Sequence, residues 1–380
     1  MKFLFASDSF KGTLSSETIH RFLSEAASEI FPGCKCQGVL MADGGEGTLE
    51  AVLSATGGRF QKKEVTGPLF EKIEASYGML PGGEAVIEMA RASGLPLVPL
   101  ERRNPLFTTS YGTGELILDA LERGCRKISV AIGGSATNDG GMGAMIALGI
   151  QFLDRNGRKL SGRGQDMGQV YKIDVSGIHP KVKETDFTVM CDVQNPLLGP
   201  NGATYTFGRQ KGADERTLME LERGMEHLSG LIKETIGQDI LGLPGAGAAG
   251  GLGGALMAFL SAKKKSGIDT VLDLIGFDEL LKDVSLVVTG EGTMDWQSAF
   301  GKVPCGVGLR CKQAGIPAVA VVGGMGEGAE ELYQYGIDSA ISTVNRPMPL
   351  EVALADAEAL YKDAARRLFR FIRTGFLLTD

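Results

Sequence analysis

The sequence lacks a long hydrophobic run: no stretch approaches the ~18 apolar residues that a membrane-spanning helix needs. Its opening residues, Met1-Lys2-Phe3-Leu4-Phe5-Ala6, give way at once to Ser7-Asp8-Ser9. That apolar core is too short for a secretory signal and reads as a first strand. Histidine is scarce: the three residues, at 20, 179 and 227, share neither metal-ligand nor catalytic-triad spacing and read as surface or helix-face positions. The single tryptophan, Trp296, reads as packing. No G-x-x-x-x-G-K followed by Ser or Thr occurs, which excludes a P-loop. The six cysteines (34, 36, 125, 191, 305 and 311) are scattered, and Cys34-Lys35-Cys36 has neither a second pair nor a nearby histidine to complete a zinc site. They read as reduced thiols of a cytoplasmic protein. Positive charge is also short: 39 Lys and Arg against 46 Asp and Glu leave a net −7, the opposite of the basic face that nucleic-acid binding requires. An anionic small molecule is still admitted, because a few local cations and backbone N–H groups suffice to hold one.

Glycine, by contrast, is in excess: 55 of 380 residues, about twice the usual share of ~7%. The glycines follow apolar segments without a collagen-like period, which implies many tight strand-to-helix turns and close backbone approach. A hydrophobic share of 43% and a charged share of 22% are ordinary for a globular enzyme. The length suggests about two or three domains with a full core.

The stretch 286–302 organises the chain. A short apolar run, 284–288, reads as a buried parallel strand and stops at Gly290-Glu291-Gly292, with Asp295 and Lys302 close behind. The same design opens the chain. The run 3–6 leads to Asp8, Lys11 and Gly12, then to a helix with Ser15 as N-cap. Residues 39–41 read as the next strand, feeding Asp43-Gly44-Gly45-Glu46-Gly47 and a second helix. From about residue 60 the rhythm changes to extended segments around Gly-Pro and Pro-Gly-Gly turns. A strand at 128–132 then feeds Gly133-Gly134-Ser135, another at 188–191 ends at Asp192, and a long helix spans 215–236. Lys263-Lys264-Lys265 reads as a solvated helix end; the βα rhythm then returns, closing with a helix over 350–373. The fold expected is α/β with two domains. A doubly wound, Rossmann-like parallel-sheet domain (1–66 and 285–380) is interrupted by an inserted α/β domain (67–284).

Three turns carry candidate chemistry. Gly133-Gly134-Ser135, between strand and helix, would offer N–H groups and a hydroxyl to a phosphate or carboxylate. Gly245 to Gly250 spells G-x-G-x-x-G, but it follows Leu243-Pro244 rather than a strand and has no acid about 20 residues on, which argues against a dinucleotide site. Lys11, Lys211 and Lys302 each sit in a turn beside glycine, while Asp8, Asp43, Glu46, Asp192, Glu291 and Asp295 stand at strand ends. Phosphoryl transfer needs such a set: cations for phosphates, carboxylates for Mg²⁺, and a base for the acceptor hydroxyl.

With these motifs in view, the chain resembles the bacterial glycerate kinases. The resemblance rests on residues 8–12 (DSFKG), 41–48 (MADGGEGT), 133–141 (GGSATNDGG), 191–197 (CDVQNPL), 210–213 (QKGA), 245–253 (GAGAAGGLG) and 290–297 (GEGTMDWQ). It implies ATP-dependent phosphorylation of D-glycerate, most simply at the 2-hydroxyl, and a site in the cleft between two domains. The chain departs from the family pattern at Thr293, where an arginine is usual, and at Ser298, where threonine is common; losing the arginine removes a bidentate partner for an anion. Residue type and position then assign roles. Asp192 is the base, with Asp8 and Asp43 the alternatives, and Glu291 and Asp295 bind Mg²⁺. Lys11, Lys211 and Lys302 neutralise phosphates or the glycerate carboxylate, helped by N–H groups at 133–135, with Gly290 shaping the turn. The alternatives are a kinase for another small hydroxy acid, a nucleotide-dependent oxidoreductase using the 245–250 glycines, and a binding protein for small acids. The reading expects no nucleic-acid or membrane partner and leaves a homo-oligomer open.

Overall fold

The computed structural model describes residues 1–45, 47–299 and 301–378; Glu46 lies outside the described residues. Two compact units emerge, one of Met1–Asp43, Glu50–Thr56 and Gly267–Asp380, the other of Gly44–Leu49 and Gly57–Ser266. No helix among the described residues is long and apolar enough to cross a membrane.

The first unit is built on a five-stranded sheet, parallel throughout. Its strands run, side by side, Ser339–Ser342, Ala318–Val322, Leu286–Gly290, Lys2–Ser7 and Lys35–Gly38. Leu286–Gly290 is buried along its whole length, as a central strand covered on both faces must be. The edge strand lies at Lys35–Gly38 rather than at 39–41. An edge strand keeps one side in water, so Lys35 and Gln37 suit it, while Val39 and Met41 pack beyond its end. Helix Ser16–Ile30 starts on the Ser15 hydroxyl, which accepts from the Thr18 N–H. The C-terminal segment is not one helix but two, Leu350–Ala355 and Ala357–Leu377, meeting at Asp356. The longer lays Leu360, Tyr361, Ala364, Leu368 and Phe369 against Phe3, Phe5 and Phe22. The Phe3 and Phe369 rings stand 5.3 Å apart, and those of Phe10 and Tyr361 5.4 Å, edge to face. Each such buried ring contributes about 1.5–3 kcal/mol. The shorter helix buries nothing in the core.

The second unit holds a six-stranded mixed sheet in the order Lys263–Lys265, Asp186–Met190, Lys127–Ala131, Glu84–Glu88, Lys72–Leu80, Arg59–Thr66. Arg59–Thr66, which the sequence pattern groups with the first domain, pairs antiparallel with Lys72–Leu80 along its full length. Lys263–Lys265, expected as a helix end, is instead a parallel edge strand on Asp186–Met190; its lysines keep that edge solvated. The helix Gly267–Leu274, expected in the insert, packs in the first unit, where Gly306 leaves room for Ile268.

His20 is a helix-face residue, on the buried face of Ser16–Ile30. It sits over Gly38, where an added Cβ would lie 2.5 Å from its Nδ1. Burial pushes its pKa down from 6.5 to about 4, with Glu17 opposing. The neutral imidazole is therefore the form that folds. Its contribution is complete above pH 6.5 and is lost as pH falls toward 4, by about 3 kcal/mol in all. His20→Met is expected to flatten the stability profile across that window, measured by urea unfolding at stepped pH. A slope equal to the parent's would refute it.

Candidate functional site

Strands Lys2–Ser7 and Leu286–Gly290 are neighbours, with Ser7 in register with Gly290. From the first strand the chain moves to one side of the sheet, and from the second to the other. Ligand sites in doubly wound sheets form beyond the carboxyl ends of strands at such a switch. Here each strand delivers a carboxylate there: Asp8 follows one and Glu291 the other, and the Asp8 N–H donates to the Gly290 carbonyl at 2.9 Å. Gly290 is needed because a Cβ at that position would stand 1.9 Å from the Val321 carbonyl oxygen.

A cavity of about 550 Å³ opens at this edge. Its lining includes Asp8, Lys11, Asp43, Glu291 and Lys302, from the segments that follow Lys2–Ser7, Lys35–Gly38 and Leu286–Gly290, and Val344, Met348, Leu350, Ala353 and Leu354, from the segment that follows Ser339–Ser342. Burial pushes Asp8 above the ordinary carboxylate range; the Ser9 N–H at 2.7 Å pulls back, Asp43 pushes further, and Lys11 and Lys302 oppose. Glu291, only 6% exposed, is likewise raised by burial, against the neighbouring Ser298 hydroxyl and Lys302. Lys302 Nζ lies 3.2 Å from Glu291 Oε2, while the buried Oε1 has no hydrogen-bond partner among the described residues. Lys302 also occupies the N-cap of the twelve-residue helix Val303–Ala314, so its charge adds to a helix N-terminus, where anions are favoured.

Asp295, paired with Glu291 in the sequence reading, is not among the lining residues. Its Oδ1 accepts from the Gln297 N–H and its own N–H donates to Ser298 Oγ, so it shapes the turn that follows. Among the described residues no three His, Cys, Asp or Glu side chains converge to hold a metal. A hard cation that keeps waters and bridges phosphates needs only one or two carboxylates from the protein, and the unpartnered Glu291 Oε1 fits that demand.

In the second unit the Gly133-Gly134 turn is exposed after strand Lys127–Ala131, while Ser135 beside it is buried. Lys211 is 2% exposed and donates to Ser135 Oγ at 2.8 Å and to the Thr137 carbonyl at 2.7 Å. Burial pulls its pKa down to about 7, with Asp139 holding it up. Its ammonium thus fastens the turn from within instead of projecting into solvent. The glycine-rich 245–251 segment packs on the same turn. A Cβ on Gly250, whose φ is +64°, would meet the Thr137 carbonyl oxygen at 2.1 Å. The glycines there serve close packing. Asp192, exposed, follows Asp186–Met190, and Lys264 braces the next residues through the Val193 carbonyl and Gln194 Oε1, both at 2.9 Å. The sequence reading missed Lys264 and the apolar wall 344–354. The signal for the wall was a leucine-bearing segment, Leu350 and Leu354, more apolar than a solvated helix start requires.

The family model described as the glycerate kinase family matches residues 3–373 of this chain. A glycerate 2-kinase from Escherichia coli is 46% identical over 376 residues, covering 99% of each chain. A glycerate kinase from Halalkalibacterium halodurans is 43% identical over 364 residues, 96% of each. A crystal structure from Salmonella typhimurium LT2, assigned as glycerate kinase 2, is similar with a TM-score of 0.89 and 39% identity, over 99% of both chains.

Proposed function

This chain belongs to the glycerate kinase family and is a kinase, and on that premise we propose that it phosphorylates D-glycerate with ATP to give 2-phosphoglycerate. The full-length family match carries the reading, and the name of the Escherichia coli relative supports the 2-hydroxyl as acceptor. The glycerate oxygen attacks the γ-phosphorus in line, its proton passes to a carboxylate, and the bond to the β-bridging oxygen breaks, releasing ADP with the electron pair. Lys11 and Lys302, which line the cavity, offset the phosphate charge. Glu291, with Asp295 shaping the turn behind it, would hold Mg²⁺ directly or through water. Held by Glu291, it would supply positive charge against the negative charge that develops on the phosphates. The exposed Gly133-Gly134 turn, fastened by Ser135 and Lys211, offers N–H groups to an anionic substrate group. Asp192 takes the proton. Asp8 is a second reading for that role, favoured by its raised pKa beside Asp43, since a base works best when its pKa approaches the working pH.

The test is phosphorus NMR of the product made from ATP, Mg²⁺ and D-glycerate. A phosphate doublet, coupled to the single C2 proton, is expected. A triplet, from a phosphate on CH₂, would assign the 3-product, and no phosphoglycerate at all would remove the proposal.

A further inference from the structure

Resting on the kinase reading, we infer that the first unit's cavity is the nucleotide subsite, with the purine ring against the wall of Val344, Met348, Leu350, Ala353 and Leu354 and the phosphates against Lys11 and Lys302. Size argues first. A cavity of about 550 Å³ falls in the ~300–1,000 Å³ range of sites for ligands of drug size, far more than a three-carbon acid can fill. Chemistry argues second. The acceptor is a small polyhydroxy acid with no apolar surface, so five apolar side chains give it nothing; a purine nucleotide has a flat apolar ring at one end and polyphosphate at the other. The lining has the same two characters: carboxylates and lysines on the segments after Lys2–Ser7, Lys35–Gly38 and Leu286–Gly290, and hydrocarbon on the segment after the far edge strand Ser339–Ser342, including the helix Leu350–Ala355.

The wall is also unfinished as protein. Leu350 is 70% exposed and Leu354 50%, and neither joins the aromatic core that the following helix builds. Exposed apolar side chains grouped beside a polar cavity mark a place where a ligand completes the packing. The position agrees, since the cavity lies at the sheet's switch point, where nucleotides bind in doubly wound folds. The buried, unpartnered Glu291 Oε1 points to a cationic group or water arriving with the phosphates.

The experiment uses Leu354→Glu in the full chain. A carboxylate in the wall is expected to weaken ADP binding, read by titration calorimetry, by about tenfold or more and to raise KM for ATP in parallel, leaving KM for D-glycerate within about twofold. Tripolyphosphate, which lacks the ring, is expected to bind parent and variant alike, whereas Lys11→Met weakens ADP and tripolyphosphate together. Leu350→Glu repeats the test should the first variant unfold. Unchanged ADP affinity in both variants, or a rise confined to KM for glycerate, overturns the assignment. ADP titration needs no acceptor, so it reads this site even if the protein turns over no glycerate, the outcome that would sink the catalytic reading alone.

Discussion

Asp192→Asn is expected to lower kcat by about 10²–10⁴-fold, the usual loss when a general base is removed, with little change in KM for either substrate. The amide keeps the carboxylate's shape and can still accept a hydrogen bond, but it cannot take the hydroxyl proton. Asp192 suits the test because it is exposed just beyond strand Asp186–Met190, and asparagine matches its size. Asp8→Asn is the companion. If Asp8 is the base, the large loss moves to that variant, and the acid limb of kcat against pH in the parent lies above the ordinary carboxylate range, as its burial demands. A kcat for Asp192→Asn within a few-fold of the parent removes Asp192 from proton transfer.

Gly290→Ala is expected to cost about 3 kcal/mol or more and to strip most activity with it. The added methyl would stand 1.9 Å from the Val321 carbonyl oxygen. That oxygen belongs to the adjacent strand Ala318–Val322, and a sheet backbone cannot yield as a side chain can. Relief has to come from moving the end of Leu286–Gly290, which carries Glu291 out of the cavity. Gly292→Ala serves as the control, since among the described residues only a backbone carbon of Phe10, at 3.9 Å, approaches its Cβ position. Guanidinium unfolding of the two variants decides the matter: equal midpoints would show that Gly290 is free to carry a side chain.

Much of the architecture could be read from the chain because its central strands are buried on both faces. Runs such as Phe3-Leu4-Phe5-Ala6 and Val287-Val288 are unmistakable for that reason, and the acids Asp8 and Glu291 follow directly from them. The edges were illegible on the same logic. Lys35–Gly38 and Lys263–Lys265 are polar because one side meets water, so neither shows an apolar pattern, and pairing with a partner strand defines them. Lys211 looked like a displayed cation because sequence cannot show depth; only the packed turn reveals its ammonium turned inward to Ser135 and Thr137. Asp295 looked equivalent to Glu291, yet local hydrogen bonds to Gln297 and Ser298 engage it in a turn. The wall at 344–354 escaped notice because its use depends on a cavity formed with strand ends far away in sequence.

Phe3 lies in register with Leu286, and strand Lys2–Ser7 is flanked by Leu286–Gly290 and Lys35–Gly38. Strand Lys2–Ser7 must therefore wait for the synthesis of the whole segment up to Leu286–Gly290 before its inner neighbour exists. At ~5–20 residues per second that delay is on the order of tens of seconds, during which Phe3 and Phe5 lack the cover of Leu286, Val288 and Phe369. Vectorial synthesis thus favours early completion of the second unit, and leaves strand Lys2–Ser7 a natural client for chaperones until Leu286–Gly290 and the helix Ala357–Leu377 arrive.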